Sequence, residues 1–414
     1  MRILLMSASY APVLGGLQTV VHTLACHLCR QGHEVQVLTN RYPRSLPEIE
    51  VRDGVHIERW LFLIPSLEHF KRARLDLGLA SVCYYPHTMS KLTRLFREFQ
   101  PDVVNLHFPE CQIPFILGMR RRFPFRLVVS LHGHEVERLF ESSADKRHRS
   151  HGVRLRRILR EADAVTACSL YLLRQAGKLE PSAMQRGLAI HNGVDIERFT
   201  DKTPYQRARP YVLALGRLTR KKGFDILLQA FARVADAAPD TDVVIAGEGE
   251  ERNNLEAQAR DLKIQHRVHF HGKASPRDVV RLLNGAKGLV IPSRSEPFGI
   301  VALEALAAGK RVLASRVGGL RELLQEFEKL VGSELPECDG TGPGEGARHG
   351  PVHLVEPTTE GFAQGIGFLL SVPSCARQAL RCAAHVTQQY SWARLATQYE
   401  QVLAGPSHSQ VMLT

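Results

Sequence analysis

The chain has 414 residues, enough for two domains of ordinary size. Hydrophobic residues make up 44% and charged residues 23%, a soluble globular balance that excludes a disordered or fibrous chain, and the longest apolar runs fall short of the roughly 20 residues a membrane-spanning helix needs. The net charge is +12, of which +9 lies in residues 1–200. A basic first half suits an anionic partner such as a phospholipid surface or lipid phosphate; nucleic acid is disfavoured, because no helix-turn-helix, zinc-finger or RNA-binding signature appears.

The first predicted element is a strand, Arg2 to Met6. Its apolar run of four residues is too short for a secretory leader, so a cytoplasmic chain is expected. Gly15-Gly16 then opens a helix to Arg30. That helix carries His22, Cys26 and Cys29 on a face opposite Val20, Val21, Leu24 and Leu28. A single CxxC with one histidine does not complete four metal ligands, so the face reads as incidental and no metal is expected. Eight cysteines scattered over this length do not make a disulfide framework.

Further apolar runs follow at Glu34 to Leu38, Val103 to Leu106, Leu127 to Leu131, Ala164 to Ala167 and Leu188 to Ile190. They read as buried parallel strands with helical stretches between several of them, such as Met89 to Glu98. Asp195 to Arg209 is polar and ends at a proline, as a domain linker does. Then the alternation restarts. Strands are predicted at Tyr211 to Leu215, Asp242 to Ala246, Val268 to His271, Gly288 to Ile291, Arg311 to Ala314 and Val352 to Val355. Helices are predicted at Phe224 to Ala237, Glu250 to Leu262, Pro276 to Asn284 and Ile300 to Ala308. Leu335 to Pro351 reads as a polar surface loop, Trp392 to Leu403 as a helix, and residues 405–414 as a disordered tail.

Two successive β/α alternations give an α/β fold class: two Rossmann-like β/α/β domains, 1–200 and 201–387, facing an interdomain cleft. Ligands of such folds bind beyond the carboxyl ends of the strands, and the chemistry-bearing residues collect there. Glu296 and Glu304 bracket the start of the Ile300 helix, whose first amides are unpaired donors and a ready anion site. Two carboxylates around such amides suit a ligand with both hydroxyls and phosphates. Arg217 and Lys222 lie on a glycine-bounded loop before a helix, and supply a donor fork and a mobile point charge for phosphate. Gly15 and Gly16 are too few for a dinucleotide fingerprint but allow close backbone approach. His132 sits in the polar run Ser130 to Glu135 at a strand end. Gly247 and Glu248 follow another. Asp240-Thr241-Asp242 precedes its strand and reads as a turn rather than a metal site.

Taken in order, these segments resemble the family-4 retaining glycosyltransferases of the GT-B fold. The match spans nearly the whole chain and is strongest from Tyr211 to Glu322, including Glu296-x7-Glu304, Arg316-Val317-Gly318-Gly319 and, earlier, Asn192-Gly193-Val194-Asp195. The resemblance implies that Arg217 and Lys222 bind the donor diphosphate, joined by the amides from Phe298 through Gly299 and Ile300 to Val301. Glu296 would hold hydroxyls of the transferred sugar, Glu304 the ribose, and Gly16 the distal phosphate. His132 would contact the sugar near its reacting carbon, and His271-Gly272 the base. Asn192, Gly247 and Glu248 complete the binding set. A helical segment, 388–404, would cross back to the first domain. The implied activity is hexosyl transfer with retention, without metal or cofactor, from a UDP- or GDP-sugar to a glycan or lipid-linked acceptor.

Trp60 to Pro65, with Phe70, Lys71, Arg72 and Arg74, has the apolar and basic mix of a membrane interface, consistent with a peripheral position at the inner face of the membrane. Two other functions use the same residues: a GT-B nucleotide-sugar epimerase, which needs no acceptor, and a non-catalytic nucleotide-sugar binder.

Overall fold

The computed structural model describes residues 1–12, 16–64, 75–141, 146–332, 350–371 and 375–405. The expected polar loop Leu335 to Pro351 therefore lies almost wholly outside the described residues, as do the tail 406–414, Gly15, and Phe70 through Arg74. Two compact units emerge: residues 1–191 with 392–414, and residues 192–391. The sequence reading set the domain edges at 200/201 and 387/388. Residues 192–200 fall instead with the second unit, because Val194 N–H donates to Tyr390 O at 2.9 Å and bridges Ser391.

The first unit is built on eight strands: β1 (Arg2–Ser7), β2 (Glu34–Asn40), β3 (Ile49–Arg52), β4 (Val55–Trp60), β5 (Val103–His107), β6 (Arg126–Leu131), β7 (Ala164–Ala167) and β8 (Gly187–Ala189). Their order is β3-β4-β2-β1-β5-β6-β7-β8, and every pair is parallel except β3–β4. Helices α1 (Gly16–Arg30), α2 (Leu75–Phe99), α3 (Ile113–Arg120), α4 (His134–Glu141), α5 (Lys146–Glu161), α6 (Leu170–Leu179) and α7 (Pro181–Gln185) lie in the connections. The runs read as β5, β6 and β7 are fully buried from Val103, Leu127 and Ala164 onward, as a sheet covered on both faces requires. Sequence reasoning missed the β3–β4 hairpin, although its Asp53-Gly54 turn, with φ of 51° and 80°, is a strong hairpin signal.

Two aromatics of the Trp60-to-Pro65 stretch pack inward. Trp60 ends β4 and Phe62 follows it; both rings are buried, stacked on each other, and Phe62 meets Phe115 edge-on at 5.2 Å. These two aromatics belong to the core, and the basic part of the stretch lies outside the described residues.

The second unit holds six parallel strands: β9 (Tyr211–Leu215), β10 (Asp242–Ala246), β11 (Val268–Gly272), β12 (Gly288–Ile291), β13 (Arg311–Ser315) and β14 (Val352–Val355), in the order β11-β10-β9-β12-β13-β14. Its helices are α8 (Phe224–Val234), α9 (Arg252–Asp261), α10 (Pro276–Gly285), α11 (Ile300–Ala307), α12 (Gly318–Gly332), α13 (Thr359–Ser371) and α14 (Ala376–Tyr390). Phe231, Leu227, Val243, Ile245, Leu313, Phe362 and Ile366 knit α8 and α13 onto the sheet. The order reverses between β9 and β12 here, and between β1 and β5 in the first unit, so each sheet has a switch point where loops diverge and leave room for a ligand.

The last helix, α15 (Trp392–Ala404), belongs to the first unit and packs on α1, β5 and β6. Its buried face is Trp392, Leu395, Ala396, Tyr399 and Leu403, and Arg126 Nε donates to Val402 O at 3.0 Å. Tyr399→Ala should therefore destabilise the chain by about 3–5 kcal/mol, the range for emptying a buried aromatic position. Urea unfolding measures this; an unchanged midpoint would mean that α15 is not part of the core.

Candidate active site

In the second unit, the switch point brings the loops after β9 and β12 together. Lys222 Nζ lies 2.5 Å from Glu296 Oε2, although 74 residues separate them in sequence. Gly223 makes the approach possible. Its φ is 66°, and a Cβ there would sit 2.0 Å from Pro292 O. Arg294 N–H donates to Lys221 O at 2.7 Å, and the Arg294 guanidinium grips Asp225 through two bonds of 2.6 and 2.7 Å. The basic loop is thus fastened to the acidic one on both sides of Lys222. Arg217, at the start of the same loop, is exposed.

Glu296 is buried; its side chain also meets Ser293 Oγ at 3.4 Å, and its carbonyl accepts from Gly319 N–H at 2.9 Å. The Arg316-to-Gly319 segment of the sequence reading therefore holds the Glu296 backbone. Gly299 caps α11 with φ 101°, where a Cβ would meet Leu320 Cδ1 at 2.6 Å. Ile300 and Val301 open the helix, so their amide hydrogens point out of its positive end. Phe298 itself is core, 6.5 Å from the Tyr390 ring, so only its backbone is available to a ligand.

Glu304 lies one turn further on, with Arg198 Nη1 3.9 Å away. The loops after β9 and β10 are joined backbone to backbone, with Leu218 N–H donating to the carbonyl of exposed Glu248 and Gly216 N–H to Ala246 O. Gly247 N–H in turn reaches Gly272 O at 2.8 Å. His271 stands edge-on to Tyr205 at 5.7 Å and lines a cavity of about 440 Å³ with Arg207, Arg252, His269 and Phe270. No other candidate residue lines that cavity, which follows β11 under α9. Asn192 is buried, and its side-chain oxygen has no hydrogen-bond partner among the described residues. Asp242 is the first residue of β10 and is taken by His269 at 2.8 Å and Arg207 at 3.4 Å.

In the first unit, Gly16 opens α1 and His132 follows β6. His132 Nε2 shares a 3.0 Å hydrogen bond with His107 Nδ1, and the rings stack at 5.3 Å. Burial pushes His132 down to about 3 and His107 well below its ordinary value, so both are neutral. His132 Nδ1 is buried with no hydrogen-bond partner among the described residues. Glu135 Oε1 accepts the His132 backbone N–H at 2.5 Å, and burial raises this carboxyl to about 7. His107 and Glu135 were missed as site residues. The signal for His107 was a polar residue closing an apolar strand run at the switch point; Glu135 lay inside the run already singled out.

Burial likewise raises Glu304 from 4.5 to about 7, against the pull of Arg198. The folded state therefore holds this proton where the unfolded chain has lost it. The associated stability is present below 4.5 and fades as pH rises towards 7, by about 3 kcal/mol at most. Glu304→Gln, which cannot ionise, should gain stability relative to the parent between pH 5 and pH 8 in urea melts. An advantage that is flat with pH would contradict a buried, proton-holding Glu304.

Residues 14–198 match the model of Glycosyltransferase Family 4, and residues 195–335 that of Glycosyl transferases group 1. Glycogen synthase of Mycobacterium tuberculosis is 30% identical over 414 residues, covering 97% of this chain and 94% of that protein. Sucrose-phosphate synthase from Thermosynechococcus elongatus has a similar structure, with a TM-score of 0.76 at 20% identity over 98% of each chain. So does Anabaena HepE, solved with UDP-glucose: TM-score 0.68, 18% identity, 97% of this chain and 99% of that one. The resemblance read from the motifs and these matches agree: the chain belongs to the family-4 glycosyltransferases, with the GT-B fold.

Proposed function

We propose that the chain is a retaining, metal-independent glycosyltransferase that moves a hexosyl group from a UDP- or GDP-sugar to a hydroxyl of a glycan or lipid-linked precursor. One observation carries this reading: a lysine and a buried glutamate held in contact beside a helix N-terminus, at the switch point of the second unit. A nucleoside diphosphate leaving group concentrates negative charge on its phosphate oxygens. Arg217, Lys222 and the amides from Gly299 to Val301 are placed to meet that charge, which grows toward the transition state. In the free protein Lys222 is neutralised by Glu296; phosphate would take over the cation and leave the carboxylate to accept sugar hydroxyls.

On the first unit, His132 is assigned to the transferred sugar and Gly16 to the distal phosphate. A histidine pushed down to about 3 is a poor proton acceptor, so it serves as a neutral hydrogen-bonding group. This favours attack on the face the leaving group departs from, with the leaving phosphate taking the acceptor's proton. Glu304 is assigned to the ribose, and the His271-Gly272 loop to the base. UDP-glucose is the first donor to try, since HepE was solved with it.

Melting curves against UDP-, GDP- and ADP-sugars test the donor, because a ligand of the folded state raises the midpoint by mass action. No shift with any of them would sink the reading. With the donor known, Glu296→Ala should abolish transfer while nucleotide binding stays measurable. Lys222→Ala should slow transfer by about 10²–10³-fold, the scale for one electrostatic donor. Release of nucleoside diphosphate that does not depend on an added acceptor would favour an epimerase instead.

A further inference from the structure

Three segments of the first unit converge on one imidazole. α1 places His22 and Cys26 four residues apart, on one face, with Cys26 Sγ 3.8 Å from His22 Nε2. The β3–β4 turn brings Asp53 in from elsewhere in the sequence, its Oδ2 2.8 Å from the same nitrogen. Tyr10, buried just after β1, sets its hydroxyl 2.8 Å from the other ring nitrogen, His22 Nδ1. One nitrogen, one sulfur and one carboxylate oxygen thus lie within 4.8 Å of one another.

The geometry points to a zinc site formed by His22 Nε2, Cys26 Sγ and an Asp53 carboxylate oxygen. Zinc bonds of about 2.0–2.3 Å in a tetrahedron separate neighbouring ligand atoms by about 3.3–3.8 Å. The sulfur–nitrogen distance already fits. The oxygen–nitrogen distance is that of a hydrogen bond and must open by about half an ångström when the ion replaces the proton. Asp53 can supply that movement, because its side chain is 67% exposed on a two-residue turn. Imidazole, thiolate and carboxylate together are a donor set that zinc accepts.

Tyr10 meets the remaining requirement. A histidine that ligates through one nitrogen normally gives its other N–H to an oxygen, which fixes ring and tautomer. The Tyr10 hydroxyl is that oxygen. On binding, the imidazole proton sits on Nδ1 and donates to Tyr10, Cys26 gives its thiol proton to solvent, and water takes the fourth position. Cys29 is not part of the set, so the CxxC spacing that first drew attention is not the ligand pair. The ion would pin α1 to the β3–β4 turn.

The test uses the full chain, stripped with a chelator and titrated with Zn²⁺ against a chromophoric competitor, then with Co²⁺. The expected result is one equivalent of tightly held Zn²⁺ and a raised melting midpoint. Co²⁺ should show the visible bands of four-coordination and a near-ultraviolet thiolate band. Cys29→Ser should keep all of this. Cys26→Ser should lose the thiolate band, and Asp53→Asn should weaken binding at least about tenfold. Asparagine accepts the positive φ of position 53, so that variant keeps the fold. The proposal falls if neither metal binds stoichiometrically, leaving only a His22–Asp53 hydrogen bond. It also falls if Asp53→Asn binds as the parent does, or if Cys29→Ser loses the metal as fully as Cys26→Ser.

Discussion

The close passage of Gly223 over the Pro292 carbonyl governs the chemistry of the second unit. Parallel strands β9 and β12 are neighbours, so the loops leaving their carboxyl ends must either diverge or touch. They touch because one residue lacks a side chain, and the contact is sealed by the Arg294–Lys221 backbone bond and the Arg294–Asp225 fork. Lys222 then meets the buried carboxylate of Glu296. Burial makes this pairing obligatory: a carboxylate withdrawn from water without a cation or donors would be strongly disfavoured. The Gly319 amide and the cap at Gly299 hold the rest of the Glu296 loop, so the charge pair and the open helix end lie side by side.

The first unit solves a different problem at its own switch point. His107 and His132 pack against each other, and burial holds both neutral. A neutral pair joined by one hydrogen bond fixes ring orientation, and so determines which nitrogen of His132 remains to meet a ligand. Tyr399 of α15 packs against His107 at 6.2 Å, so the end of the chain helps to set this pair.

Much of this was legible in the sequence, for physical reasons that differ by element. Parallel strands covered on both faces are continuous apolar runs, and β9, β10 and β12 read off with correct ends. The Glu296-to-Glu304 segment was legible because strand, glycine and helix follow one another without a break. The β3–β4 hairpin was not, because β3 is only four residues long and its apolar residues, Ile49 and Val51, are exposed rather than buried. His107 was hidden because a lone histidine at a strand end looks the same whether it faces solvent or another imidazole. Composition could not place Trp60 either: an aromatic beside basic residues reads the same at a surface or in the core, and here its ring is buried with Lys91 Nζ 4.7 Å from it.

Asp53 shows the general limit. Spacing along a helix can bring His22 and Cys26 to one face, but the third ligand arrives through a hairpin turn that local pattern did not reveal. The helix matters beyond that cluster. Gly16, assigned to the distal phosphate, is the first residue of α1, and His22 lies about 9 Å further along its axis. Val20, Val21, Leu24 and Leu28 anchor one side of α1 in the core, and His22 lies on another face. An ion joining that face to the β3–β4 turn would restrain the helix from both sides and hold its first turn in register with β1. The metal would then act on sugar transfer only through backbone position, a role that is compatible with metal-free chemistry at the phosphates.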